Sequence, residues 1–78
     1  MRLTGKGEEF ARLLKEVDDT SYLEPIEIIV LELYKKGGVS SIRNPTLSSI
    51  FSKYSIGTIE AMDLIDKLVN NEFAEYSP

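Results

Sequence analysis

Four cations, Lys35, Lys36, Arg43 and Lys53, are the side chains of this sequence best suited to chemistry, and the chemistry is neutralisation of phosphate. Four such contacts would give a log-log salt slope of roughly −3.6 and a modest affinity. Lys35 and Lys36 also have a structural reading, since cations complement the negative end of a helix. Other chemistry is poorly supplied. The 78 residues include no histidine and no cysteine, which removes the commonest general base, the commonest transition-metal ligand and any thiolate. Ser40-Ser41, Ser48-Ser49 and Ser52 lack a partner base, and Asp18-Asp19 lacks the ligand spacing of a calcium loop. No catalytic residue, metal site or cofactor is expected, and the chain is not read as an enzyme.

Charge pulls against a nucleic-acid role. The net charge is −4 with an isoelectric point near 4.7, whereas nucleic-acid binders present a basic patch to the phosphates. Any such binding must therefore come from the local cluster of cations. Tyr34 and Tyr54 could stack on bases, but at helical spacing they read as half-buried core residues with a wet hydroxyl.

The elements that would position these groups are helical. Between Pro45 and Leu68, apolar residues recur every three or four positions: Leu47, Ile50, Phe51 and Tyr54, then Ile59, Met62, Ile65, Leu68 and Val69. That spacing predicts two amphipathic helices with one buried stripe each. Ser55-Ile56-Gly57 is a tight turn between them, the outline of a helix-turn-helix, with Thr58 capping the second helix. Asn44 or Thr46 caps the first. Upstream, Pro25 to Lys36 reads as a central helix, apolar around most of its circumference, with Pro25 at its first position and Gly37-Gly38 as a left-handed cap. The β-branched residues of Ile26–Val30 make a strand the competing assignment, which length and the Lys35-Lys36 ending disfavour.

An N-terminal helix is predicted from Glu8, with Phe10, Leu13, Leu14 and Val17 on one face. Asp18 to Ser21 reads as a stop and turn, and residues 1–7 as a flexible arm because of Gly5 and Gly7. Residues 8–78 then form a single domain. Val39–Ile42 is too short for a helix, and Phe73–Tyr76 alternates as an edge strand would; the two are candidates to pair as brief strands. The expected class is mainly α, small α+β: four helices with a helix-turn-helix and at most a short two-stranded sheet.

This order resembles the winged-helix branch of helix-turn-helix domains, with a truncated wing, the alternative to that strand pairing being an absent or stub wing; Leu64 to Tyr76 looks like the third helix of that fold leading into its first wing strand. A narrower resemblance is to the gamma domain of FtsK-type DNA translocases. Ile56, Gly57, Ala61, Leu64, Ile65 and Leu68 match the scaffold part of that family's Ile-Gly-Tyr-Asn-Arg-Ala…Leu-Ile pattern. Its polar readers do not carry over, because Ile59, Glu60 and Asp63 stand where the family has Asn, Arg and Arg.

Two functions follow as expectations. One is a small DNA-binding protein, a transcriptional regulator, that contacts double-stranded DNA through a recognition-helix face of Thr58, Glu60, Asp63 and Lys67, with the four cations on the backbone. Phe10, Leu13, Leu14 and Val17 would then supply a homodimer or partner surface. The other is an acidic protein-interaction module that keeps the fold without DNA binding. The longest apolar run, Ile26–Leu33, is interrupted by Glu27 and Glu32 and falls far short of the ~20 residues of a membrane span. A cytoplasmic setting is the expectation.

Overall fold

The computed structural model describes residues 1–38 and 40–76. A short strand, β1 (Arg2–Leu3), leads into helix α1 (Gly5–Leu14). A 3-10 turn (Thr20–Tyr22) precedes α2 (Pro25–Gly37), followed by α3 (Asn44–Lys53), α4 (Thr58–Asn70) and a last strand, β2 (Ala74–Glu75). The fold is mainly helical, with one two-stranded antiparallel sheet among the described residues.

Helix α2 is the keel. It touches α1, α3, α4 and β1, and Ile29, Val30 and Leu33 on it are almost wholly buried. Each such side chain contributes about 1.5–3 kcal/mol by leaving water, so packing on α2 outweighs the strand preference of its β-branched residues. Pro25 is its first residue, and the Glu24 N–H just before it donates to the Glu27 side chain at 2.8 Å. Gly38 ends it at φ +57°, its N–H bonded to the Tyr34 carbonyl at 2.9 Å. Only a residue without a Cβ adopts that conformation freely.

The N-terminal segment is built in, against the expectation of a flexible arm. Leu3 pairs with Ala74 and Arg2 with Glu75, and Met1 and Leu3 are buried. Thr4 caps α1 by accepting from the Gly7 N–H at 3.1 Å, and its own N–H donates to the Phe73 carbonyl at 3.0 Å. The reading of Gly5 and Gly7 as helix breakers fails because Gly7 is small for packing reasons. A Cβ there would lie 1.9 Å from the Phe73 carbonyl oxygen.

The strand pairing also differs from expectation. β2 forms within Phe73–Tyr76 as predicted, but its partner is β1 and not Val39–Ile42. Val39 lies outside the described residues. Ile42 instead exchanges two backbone hydrogen bonds with Met1, at 3.1 and 2.6 Å. The N-terminal strand takes the position next to β2 because Leu3 can bury its side chain there while Thr4 anchors the C-terminal turn.

Two cap assignments change as well. The N-caps of α3 and α4 are Arg43 and Gly57, neither with a side-chain cap; Asn44 and Thr58 are already inside their helices. The α3–α4 corner turns on Ser55, at φ +56°, while Gly57 has an ordinary φ of −73°. The Ile56 N–H closes the corner on the Phe51 carbonyl at 2.9 Å.

Candidate functional site

The expected buried stripe of α4 is out of phase with the observed one. Leu64 and Leu68 are buried and Ala61, Ile65 and Val69 half-buried, whereas Ile59 is 87% and Met62 61% exposed. Ala61, absent from the expected stripe, lines the interior edge as well. With 3.6 residues per turn, the outer surface of α4 carries two adjacent strips. Ile59, Met62 and Asp66 form one, of which Met62 lines the groove against α3; Glu60, Asp63 and Lys67 form the other.

Between α3 and α4 runs an open groove of about 270 Å³. Leu47 and Phe51 line it from α3, with Asn44, Ser48 and Ser52 along that rim. From α4 come Thr58, Met62 and Ile65, and Ile56 closes the end at the turn. No charged side chain lines it.

The four residues expected as a recognition face therefore divide. Thr58 opens onto the groove, while Glu60, Asp63 and Lys67 lie on the far strip. Lys67 is paired with Asp63 at 3.0 Å, and Glu60 instead borders a shallow depression with Pro25, Ile28 and Tyr54. Neither Glu60 nor Asp66 forms an ion pair among the described residues.

The four expected phosphate contacts divide too. Lys36 and Lys53 share a groove of about 460 Å³ with Ser49 and Ser52. Lys35 opens into a separate cavity with Thr20, Leu23 and Tyr54, and Arg43 lines neither. A carboxylate not anticipated as a functional group sits among them. Glu32, its side chain only 5% exposed, accepts from the Tyr54 hydroxyl at 2.8 Å and from the Lys53 ammonium at 3.4 Å. Burial works to raise its pKa, but the Tyr54 and Lys53 hydrogen bonds and the nearby Lys35 charge hold it below the usual carboxylate range. Lys53 is in turn pushed up by its hydrogen bond to Glu32. Tyr54 is pushed up by burial first and by Glu32 second. Tyr54, expected half-buried, is instead exposed at 36%, and its hydroxyl is spent on Glu32.

The N-terminal helix surface is likewise partly consumed by the fold. Leu14 is buried, and Phe10 stacks on Phe73 with ring centroids 4.8 Å apart. Only Leu13 and Val17 of the four residues expected to form a dimer or partner surface are exposed. The described residues contain no group of three potential metal-ligating Asp, Glu, His or Cys side chains. None of their helices is long and apolar enough to cross a membrane.

No protein-family model, curated protein or solved structure matches the chain. Ile59 and Met62 had a usable signal in the sequence: α4 carries apolar residues over an arc too wide for one buried stripe. Glu32 had a weaker one, as a charge interrupting the apolar run of α2.

Proposed function

We propose that this chain is a protein-interaction module that docks a partner protein on the α4 face, within the winged-helix-like class that the sequence resembles. The observation that carries the reading is the exposure of Ile59 and Met62 beside an uncharged groove, where a DNA-reading helix needs donors and cations. Large apolar side chains left in water beside a groove mark interaction surfaces, and Arg, Lys, Asn and Gln are the usual readers of base edges. The carboxylates Glu60, Asp63 and Asp66 on the same helix would oppose phosphates. No catalytic role is part of this reading, and the setting is cytoplasmic, in keeping with a chain that has no cysteine.

A second reading has one observation in its favour: Lys36, Lys53, Ser49 and Ser52 share a groove, a donor set that suits a phosphate. Under it the protein binds double-stranded DNA through its backbone. Against it, Lys53 already donates to Glu32.

The two separate in one experiment. A photo-crosslinking residue is placed at position 59 or 62, and at Glu16 as a control, and introduced into native-cell extract; retention on nonspecific duplex is measured at ~50 mM salt, where phosphate contacts are strongest. The protein-docking reading expects a discrete crosslinked protein from 59 and 62 only, and no duplex retention. Retention abolished by K35A/K36A/R43A/K53A, with no specific crosslink, would instead establish the DNA reading.

A further inference from the structure

Resting on the α4-docking reading, we infer that the occupant of the α3–α4 groove is a cationic amphipathic helix, seated by apolar anchors between Phe51 and Met62 with its Lys or Arg residues over Asp66. Three observations lead there. The first is size. At about 270 Å³ and open along its length, the groove falls just under the ~300–1,000 Å³ of small-molecule sites. It suits the anchor side chains of a longer ligand.

The second is backbone chemistry. Both walls are α-helices, Asn44–Lys53 and Thr58–Asn70, whose interior N–H and C=O groups are bonded within their own helix. An extended peptide laid between them would find no main-chain partners, and its own amide groups would face Leu47, Phe51 and Ile65. A helix satisfies its backbone internally and offers the groove only side chains, as amphipathic helices do in other apolar grooves. Its anchors would recur at three- and four-residue steps.

The third is charge. The groove lining is neutral, and the α3 rim is neutral as well, with Asn44, Ser48 and Ser52. Beyond Met62 the surface turns acidic. Asp66 lies one turn from Met62 on the same strip, with no ion-pair partner among the described residues, and Asp63 shares its charge with Lys67 at 3.0 Å. The chain as a whole carries −4. The ligand that fits is apolar along the seam, uncharged where it meets α3 and basic where it overhangs α4. An anionic helix of the same shape would be repelled.

Nuclear magnetic resonance can test this on the full chain, because the sequence has two methionines and they differ in exposure: Met1 is 8% and Met62 61% exposed. The probes are a synthetic 14-residue Lys/Leu amphipathic helix, its Glu/Leu counterpart, and a Lys/Leu peptide scrambled to abolish the apolar face. With 13C-labelled methionine methyls, the Lys/Leu helix is expected to shift the Met62 signal at micromolar to millimolar concentration and leave Met1 unmoved. The Glu/Leu peptide should not bind. D66K should weaken binding about fivefold, since a reversed exposed charge turns one weak attraction into a repulsion, and Met62→Glu, which lacks the Met62 methyl and is therefore read by titration calorimetry, should weaken it about tenfold or more. Binding of the scrambled peptide with equal affinity, or binding unaffected by D66K and Met62→Glu, would overturn the proposal. So would a stationary Met62 signal. If crosslinks from positions 59 and 62 capture a protein while the Lys/Leu helix leaves Met62 unmoved, the docking face stands and the cationic-helix occupant is wrong. If neither occurs, both fall.

Discussion

The region where α1, β1 and β2 meet and the region where α3 meets α4 are built from similar residues to opposite ends. At the first, each apolar side chain has a neighbour: Leu3 and Ala74 are buried side by side, and Phe10 covers Phe73. Thr4 ties the start of α1 to the last turn through both its hydroxyl, which donates to the Glu72 carbonyl, and its N–H. At the second, Leu47 and Phe51 are buried but Ile59 and Met62 stand in water. A small domain has little apolar surface to spare. Leaving two large side chains outside, while β1, β2 and α1 are closed so tightly, separates a packed surface from an open one.

The sharpest way to break the contrast is at the closed end. Gly7→Ala drives a Cβ to within 1.9 Å of the Phe73 carbonyl oxygen, which is backbone and cannot rotate away. A loss of about 3 kcal/mol is expected, at the top of the usual overpacking range. For a domain of this size that lowers Tm by roughly 12–24 °C. Gly5→Ala is the control: nothing lies within 4 Å of its Cβ position, so its Tm should hold or rise slightly. Calorimetry of the pair decides it. Equal Tm values would show that Gly7 is not packed against the C-terminal turn.

Between the two regions lies the Glu32–Tyr54 link from α2 to the end of α3. Tyr54→Phe removes one donor from a buried carboxylate, and because Tyr54 is itself partly exposed the expected cost is about 1 kcal/mol. Chemical denaturation reads it; an unchanged midpoint would mean that the hydroxyl contributes nothing.

Acid gives a smaller and more specific effect. The pKa of Glu32 is lowered in the folded protein, so the unfolded chain takes up its proton first as the pH falls. Its contribution is complete above the unfolded value of about 4.3 and is lost as the pH drops through the folded value. Glu32→Gln lacks this linkage. The stability gap between wild type and Glu32→Gln should therefore be constant near neutrality and change in favour of the variant below about pH 4.3. A gap independent of pH down to 3 would remove Glu32 from the account.

What was legible in the sequence follows the same division. α2 announced itself through Pro25 at its start, Lys35-Lys36 at its end and Gly38 beyond, because those signals are local. The four-helix, small-sheet class followed from periodicity. The buried arc of α4 did not. Ile59, Met62, Ile65 and Leu68 keep one three-residue rhythm, and Ala61, Leu64, Ile65 and Leu68 keep another, so periodicity fits both. Packing on α2 selected the second, and Ile59 and Met62, which only the first includes, became the candidate site. The N-terminal segment misled for a related reason. Glycine spacing reports backbone freedom, and only the fold reveals that Gly7 is small to let Phe73 approach. Glu32 and Tyr54 are too far apart in the chain for any local pattern to pair them.

The smallest expected effect is the one that most sharpens the contrast. Ile59→Ser on the open face exchanges a large side chain for a small polar one, a change that in a buried position would cost several kcal/mol. Ile59 is 87% exposed and makes no packing that folding depends on, so its stability change should stay within about 0.5 kcal/mol. The same substitution removes apolar area from the docking strip. Crosslinking from position 62 should then weaken while Tm holds, a combination that the closed end of the molecule cannot produce. If Ile59→Ser instead lowers Tm as Gly7→Ala does, Ile59 packs in solution, and the α4 face is part of the core.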